Sequence, residues 1–109
     1  MVELKLKNSK ELDEKSQEKV REICEEKVAY YNDLFKKYDK DLVLEVIFDG
    51  SSSLYKVSAS INLKSKKVLL AKENKDAVKA VTELFADFKK AVKKQYELER
   101  KDYEYKRKR

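Results

Sequence analysis

The spacing of apolar residues changes along the chain, and this change constrains the fold more than any other feature of the sequence. From residue 2 to residue 7, apolar and polar side chains alternate, which is the period of a strand with one buried face. Between residues 13 and 38, apolar side chains recur every three or four positions, which is the period of an amphipathic helix. The sequence therefore predicts a strand followed by a helix, each with one side to bury.

The same change of period occurs again in the second half of the chain. Alternation returns in three further segments, at residues 42–48, 55–63 and 68–72. Turn-forming residues separate these segments, and the only glycine, Gly50, lies in the first turn. A second helical pattern starts near Ala77, after Asn74 and Asp76, which both suit an N-cap. The predicted element order is therefore β-α-β-β-β-α.

This order predicts an α+β fold. The first crossover, from strand through helix to strand, should be right-handed and make those two strands parallel. The two hairpins that follow make the remaining neighbours antiparallel. Both helices must bury one apolar stripe, and the sheet has one strongly apolar face, so the helices should pack side by side on that face. We expect a two-layer sandwich with a four-stranded mixed sheet, similar to double-stranded RNA-binding domains.

Burial along the last helix should end before Glu99, because this carboxylate falls in the middle of the apolar stripe. The stripe consists of Ala77, Val81, Leu84, Phe85, Phe88, Val92 and Tyr96. We therefore expect one folded domain over residues 1–98 and a charged, flexible tail over residues 99–109. A chain of 109 residues has the usual size of a single domain.

The composition disfavours catalysis and metal binding. The chain has no histidine and a single cysteine, Cys24, on the apolar side of the first predicted helix. A cysteine without a histidine is a poor nucleophile, and zinc sites need clusters of these residues. We expect no enzyme activity, cofactor, metal ion or small-molecule substrate, and we interpret Cys24 as a small buried side chain. The unpaired cysteine indicates the cytoplasm, and no apolar run is long enough to indicate a membrane partner.

Positive charge is concentrated in the last third of the chain. The net charge is +6, and the excess lies almost entirely within residues 77–109. Four lysines would line one exposed ridge of the last helix, namely Lys89, Lys90, Lys93 and Lys94. Such a ridge matches the repeating negative charge of a nucleic-acid backbone. Further lysines would widen this surface, namely Lys64, Lys66 and Lys67 in the second hairpin turn and Lys5 and Lys7 on the outer face of the sheet.

Lysine favours contact with phosphates over reading of bases, so recognition by these residues should depend on the shape of the nucleic acid. A solvated lysine-rich face without a partner is the alternative interpretation of the same pattern.

Three segments resemble the ribosome hibernation-promoting factor and ribosome-associated inhibitor family, whose members are also called sigma-54 modulation proteins. The segments are YKVSASINLK at residues 55–64, VLLAKE at 68–73 and DAVKAVTELFADFKKAVKKQY at 76–96. The last helix of that family typically begins with an aspartate and carries paired basic residues in its second half, as Asp76, Lys90 and Lys94 do here. The resemblance covers residues 2–98 and is to the short type, which lacks a second domain.

The resemblance implies a function in translation. A member of this family would bind the small ribosomal subunit through 16S-type ribosomal RNA, occlude the channel for messenger and transfer RNA, and be a monomer when free. By position, Lys89, Lys90, Lys93 and Lys94 would contact the RNA backbone. Two other interpretations stay open, a protein-interaction regulator of transcription that modulates a sigma factor and a domain that binds structured RNA outside the ribosome.

The sequence also departs from the family pattern. Asp87 stands where members often have a basic residue, and Glu97 and Glu99 dilute the positive charge that follows the lysines. These departures bear on the extent of the RNA-binding surface rather than on the fold.

Overall fold

The elements follow one another in the order that the apolar pattern predicts. The computed structural model describes residues 1–50 and 53–107, with side chains through Lys101. It contains the strands β1 (Val2–Lys7), β2 (Leu42–Asp49), β3 (Tyr55–Asn62) and β4 (Lys67–Asn74), and the helices α1 (Glu14–Leu34) and α2 (Ala77–Arg107). A short 3-10 helix at Ser9–Glu11, which the sequence pattern did not indicate, leads from β1 towards α1.

The four strands form one mixed sheet in the order β1-β2-β3-β4. β1 and β2 are parallel, with Val2 opposite Leu42 and Lys7 opposite Ile47. β3 is antiparallel to both β2 and β4, so β1, β2 and β4 all run in the same direction. The predicted α+β fold with a four-stranded mixed sheet is confirmed.

Both helices cover the same face of the sheet. α1 packs over β1, and α2 packs over β3 and β4. The strand residues that point towards the helices are buried, namely Leu42, Leu44, Val46, Phe48, Val57, Ala59, Ile61 and Val68. Val43 and Leu69 point the other way and are 45% and 59% exposed, so the outer face of the sheet is uncovered. Burial of each large apolar side chain on the inner face contributes about 1.5 to 3 kcal/mol to stability.

An aromatic cluster joins the two helices. The rings of Tyr31 and Phe88 meet edge to face with 6.1 Å between centroids, and those of Phe35 and Tyr96 lie 4.7 Å apart. Residues later in α1 therefore contact residues later in α2, which means that the helices run parallel. This orientation follows from the topology, because each helix follows one of two strands with the same direction, β1 or β4.

α1 ends earlier than its apolar period suggested. The helix stops at Leu34, although the pattern continues to Tyr38. Phe35 is buried and Tyr38 is half-buried, and the backbone N–H of Tyr38 donates to the carbonyl oxygen of Phe35 at 2.9 Å. The apolar pattern continues beyond the end of the helix because the turn after α1 packs its aromatic residues against Tyr96 of α2.

α2 is much longer than the strands beneath it. Its 31 residues span about 46 Å, whereas an eight-residue strand spans about 27 Å. The C-terminal part of α2 therefore overhangs the sheet. Contacts with the body reach Glu99, one residue beyond the predicted end of the domain at residue 98. The flexibility of the remaining tail residues stays a prediction, and their side chains after Lys101 lie outside the described residues.

The start of the edge strand β1 is held by a side chain of α1. The backbone N–H of Val2 donates to Oδ1 of Asn32 at 2.7 Å, and Nδ2 of Asn32 donates to the carbonyl oxygen of Val2 at 3.1 Å. The amide of Asn32 thus satisfies both backbone groups of Val2, as a neighbouring strand would.

Two tyrosines of the aromatic cluster differ in what their hydroxyl groups contact. The hydroxyl of Tyr31 is buried and has no hydrogen-bond partner among the described residues. The hydroxyl of Tyr38 donates to Oε1 of Glu99 at 2.6 Å and accepts from the backbone N–H of Lys64 at 2.8 Å. A buried hydroxyl without a partner costs stability, whereas a hydroxyl with two partners contributes to it.

Removal of the Tyr31 hydroxyl and removal of the Tyr38 hydroxyl should therefore change the free energy of unfolding in opposite directions. We expect Tyr31→Phe to leave it unchanged or raise it by up to about 1 kcal/mol, and Tyr38→Phe to lower it by about 1 to 2 kcal/mol. Urea denaturation of the two variants beside the unsubstituted protein measures both changes. A loss above about 1 kcal/mol in Tyr31→Phe would mean that this hydroxyl has a partner, such as a buried water.

Candidate nucleic-acid interface

The four predicted RNA-binding lysines of α2, at positions 89, 90, 93 and 94, lie on a part of the helix that the core holds in place. Phe85, Phe88 and Val92 are buried on the opposite side of the same turns. The helix begins at Ala77. Of the two N-cap candidates in the sequence, Asp76 is the one that caps it, since its Oδ1 accepts from the backbone N–H groups of Val78 at 2.9 Å and Lys79 at 3.3 Å. An N-cap of this kind stabilises a helix by about 1 kcal/mol. The orientation of the lysines is therefore fixed by capping and by packing.

Four lysines in the middle of α2, which we call the lysine ridge, are all exposed. They are Lys89, Lys90, Lys93 and Lys94. Since each residue turns the helix by about 100°, they cover an arc of about 140° on the side away from the core. None of the four forms an ion pair with a described residue. The ridge therefore presents four positive charges that no carboxylate of the described chain neutralises.

One end of this arc faces α1. The ammonium group of Lys89 lies 4.8 Å from the ring centroid of Tyr30, a cation–π distance. This contact restrains the lysine without cancelling its charge. Lys94, at the other end of the arc, lies two helical turns after Asp87, which contacts β4. The ridge thus extends across α2 from the α1 side to the β4 side.

Asp87 is neutralised by a strand residue. Its carboxylate lies 2.9 Å from the ammonium group of Lys72 on β4. The hydrogen bond and the charge of Asp87 raise the pKa of Lys72 above its usual value. The negative charge of Asp87 is therefore paired locally with a lysine of β4, a contact that sequence reasoning missed.

The turn between β3 and β4 lies against α2, and its lysines differ in their surroundings. Lys64 forms an ion pair with Asp39, and its ammonium group lies 5.2 Å from the ring centroid of Tyr38. Lys66 and Lys67 are exposed and form no ion pair with a described residue. Lys67, however, is the first residue of β4 and points, like Leu69, to the outer face of the sheet. Of the three lysines predicted in this turn, Lys66 is therefore the one available to a partner of the ridge.

The lysines of β1 do not join this surface. Lys5 and Lys7 point away from the helices, and β1 is the strand farthest from β4, over which α2 packs. Lys7 also lies 3.3 Å from the carboxylate of Glu45. Of the nine lysines predicted to contact RNA, the structure thus places Lys5 and Lys7 on the opposite face of the molecule from the ridge.

A cluster of polar side chains connects the β3–β4 turn to α2, and we call it the Glu99 junction. It consists of Tyr38, Lys64, Ser65, Gln95 and Glu99. Oε2 of Glu99 accepts from both the backbone N–H of Ser65, at 3.0 Å, and the Ser65 hydroxyl, while Oε1 accepts from Tyr38 at 2.6 Å. Nε2 of Gln95 donates to the Ser65 hydroxyl at 2.8 Å.

These contacts change the acidity of both ionisable partners. Partial burial alone would raise the pKa of Glu99, but the hydrogen bonds from Ser65 and Tyr38 and the charge of Lys64 outweigh it, and the pKa is lowered. Partial burial and the hydrogen bond to Glu99 raise the pKa of Tyr38 to about 12. At neutral pH the junction therefore contains a carboxylate and a protonated tyrosine.

Cys24 is fully buried, as the sequence indicated. Burial and the charge of Glu25 raise its pKa to about 12, so the thiol is protonated at neutral pH. Within residues 1–50 and 53–107 we found no group of three or more acidic or cysteine side chains that could hold a metal ion. No helix of these residues is long and apolar enough to cross a membrane.

No protein-family model matches the sequence, and a search of curated proteins found no match.

The lowered pKa of Glu99 predicts a pH dependence of stability. A carboxyl group whose pKa is lower in the folded state stabilises the protein fully above its unfolded pKa, here near 4.5, and loses this effect as the pH falls through the folded value. Glu99→Gln should therefore unfold more easily than the unsubstituted protein near neutral pH, and the difference should shrink well below pH 4.5. Urea denaturation at the two pH values measures it.

Glu97→Gln is the matched control for this comparison. Glu97 is exposed two positions earlier and forms no hydrogen bond with a described residue. It should show no such pH-dependent difference. A Glu99→Gln protein with the same stability as the unsubstituted protein at neutral pH would contradict the junction as described.

Proposed function

We propose that this protein is a non-catalytic, cytoplasmic translation inhibitor that binds the small ribosomal subunit through the phosphate backbone of ribosomal RNA. The single observation that carries the RNA-binding part is the lysine ridge, whose four exposed charges have no carboxylate partner among the described residues. The ribosomal target is supported by the resemblance of residues 2–98 to the ribosome hibernation-promoting factor family.

The charge pattern of the surface favours a phosphate backbone over a single small anion. The Cα atoms of Lys89 and Lys93, and of Lys90 and Lys94, lie one helical turn apart, at about 6 Å, close to the spacing of phosphates along one nucleic-acid strand. Other lysines of the protein, Lys7, Lys64 and Lys72, are paired with carboxylates. Exposed lysines without an ion pair to a described residue also lie elsewhere, such as Lys10 and Lys75, but the ridge differs because residues 88–96 contain four lysines and no acidic residue.

The proposed mechanism is steric occlusion. The core residues beneath the ridge hold α2 rigidly on the sheet, so ridge–phosphate contacts would fix the whole α+β body on the RNA. A body of this kind in the channel for messenger and transfer RNA would exclude both ligands without any chemical step.

Binding through lysine–phosphate contacts should weaken steeply with salt. Displacement of counterions by four lysines predicts a slope of about −3 to −4 in a plot of log affinity against log salt concentration. Co-sedimentation of the protein with purified small ribosomal subunits over a series of salt concentrations measures this slope. Absence of binding, or binding that does not depend on salt, would overturn the proposal.

Reversal of the ridge charges should abolish this binding. The variant carries Lys89→Glu, Lys90→Glu, Lys93→Glu and Lys94→Glu, and repulsion from phosphates should reduce co-sedimentation to background. The matched control reverses four exposed lysines elsewhere, namely Lys10, Lys15, Lys19 and Lys75. It has the same net charge as the ridge variant and should retain most of the binding. Equal losses in both variants would show that only net charge matters, and this would contradict a ridge-specific site.

A further inference from the structure

The Glu99 junction is the last described contact between α2 and the rest of the molecule. Beyond it, α2 overhangs the sheet. Glu99 lies on the same side of the helix as the buried residues Val81, Phe88 and Val92. An apolar side chain at this position would continue the core, so the presence of a carboxylate calls for a separate physical reason.

That reason lies in the number of donors around the carboxylate. Three donor groups converge on its two oxygens: the hydroxyl of Tyr38, the backbone N–H of Ser65 and the hydroxyl of Ser65. A carboxylate accepts on both oxygens, and charge-assisted hydrogen bonds of this kind are about twice as strong as neutral ones. The junction therefore holds the β3–β4 turn at a defined place on α2.

Fixing Ser65 also fixes the lysine that follows it. The turn is closed by the backbone N–H of Leu63, which donates to the carbonyl oxygen of Lys66 at 3.1 Å. Lys66 follows Ser65 directly and is exposed. Lys67 begins β4 and, like Leu69, points to the outer face of the sheet. Gln95, which donates to the Ser65 hydroxyl, is the residue after Lys94. The junction thus lies between the end of the lysine ridge and Lys66.

We propose that Glu99 is a positioning residue, which holds the β3–β4 turn against α2 so that Lys66 acts together with the lysine ridge on one RNA backbone. This inference rests on the proposed function. Glu99 itself does not touch the RNA. The acidic residue that seemed to dilute the basic surface is instead the residue that assembles it from two segments of the chain.

The proposal and simple electrostatics predict opposite changes in RNA affinity when the charge of Glu99 is removed. Removal of a negative charge from a basic surface should strengthen the binding of a polyanion. If Glu99 positions the turn, its removal should weaken binding, because Lys66 would no longer be held beside the ridge. The two explanations therefore differ in the direction of the effect and not only in its size.

The experiment compares Glu99→Ala with Glu97→Ala. Both substitutions remove one negative charge from α2, and alanine favours the helix in both. In co-sedimentation with purified small ribosomal subunits, Glu99→Ala should bind about three- to tenfold more weakly, and its salt slope should be shallower by about 1. Glu97→Ala should bind as tightly as the unsubstituted protein or more tightly. Amide hydrogen exchange of Ser65 should accelerate in Glu99→Ala alone, which reports on the junction without RNA.

Ser65→Ala provides a second variant in case Glu99→Ala does not fold. It removes the hydroxyl contacts with Glu99 and Gln95 at an exposed position but retains the backbone N–H, so it should weaken binding in the same direction to a smaller extent. If the unsubstituted protein binds and Glu99→Ala binds equally or more tightly, this inference alone is overturned. If the unsubstituted protein does not bind, the proposed function is overturned and this inference with it.

Discussion

The burial of the apolar stripe of α2 against β3, β4 and α1 is the interaction on which the rest of the structure depends. Leu84, Phe88 and Val92 are completely buried, and they fix both the position of α2 and its rotation about its own axis. Because the rotation is fixed, the lysines on the opposite side must face solvent. The burial that forms the core therefore also determines which residues of α2 form the charged surface.

Much of the fold could be predicted because the sequence carries it in local periodicity. The alternation around Val57 and the three- to four-residue spacing around Phe88 each report directly on one element and its buried side. The end of α1 could not be predicted in this way, because Phe35 stays buried and Tyr38 half-buried after the helical backbone has stopped. Periodicity reports burial, and burial continues wherever a turn packs against the core. The contact between Asn32 and Val2 could not be predicted from the sequence either, since it joins a helix to a strand that is distant in sequence.

The candidate site also has some features that local periodicity predicts and others that it does not. Exposure of the lysine ridge follows from the helical period alone, so sequence reasoning placed Lys89 and Lys93 on the exposed surface correctly. The ion pair of Lys72 with Asp87 and the contacts of Glu99 depend on which strand lies beneath α2 and where a turn meets it. Such contacts join residues up to 61 positions apart, and no local pattern encodes them. This is why Glu99 looks like an interruption of the stripe in the sequence and is a hydrogen-bonded partner of Tyr38 and Ser65 in the structure.

The parallel pairing of β1 with β2 has a consequence for the entropy of the chain. It brings together residues 40 positions apart, such as Val2 and Leu42, whereas the β3–β4 hairpin pairs Asn62 with Lys67. Closing the longer loop costs about 2 kcal/mol more in chain entropy. Pairing of the first strand therefore costs more chain entropy than pairing of any other strand in the sheet. The hydrogen bonds between Asn32 and Val2 and the packing of α1 over β1 offset this cost.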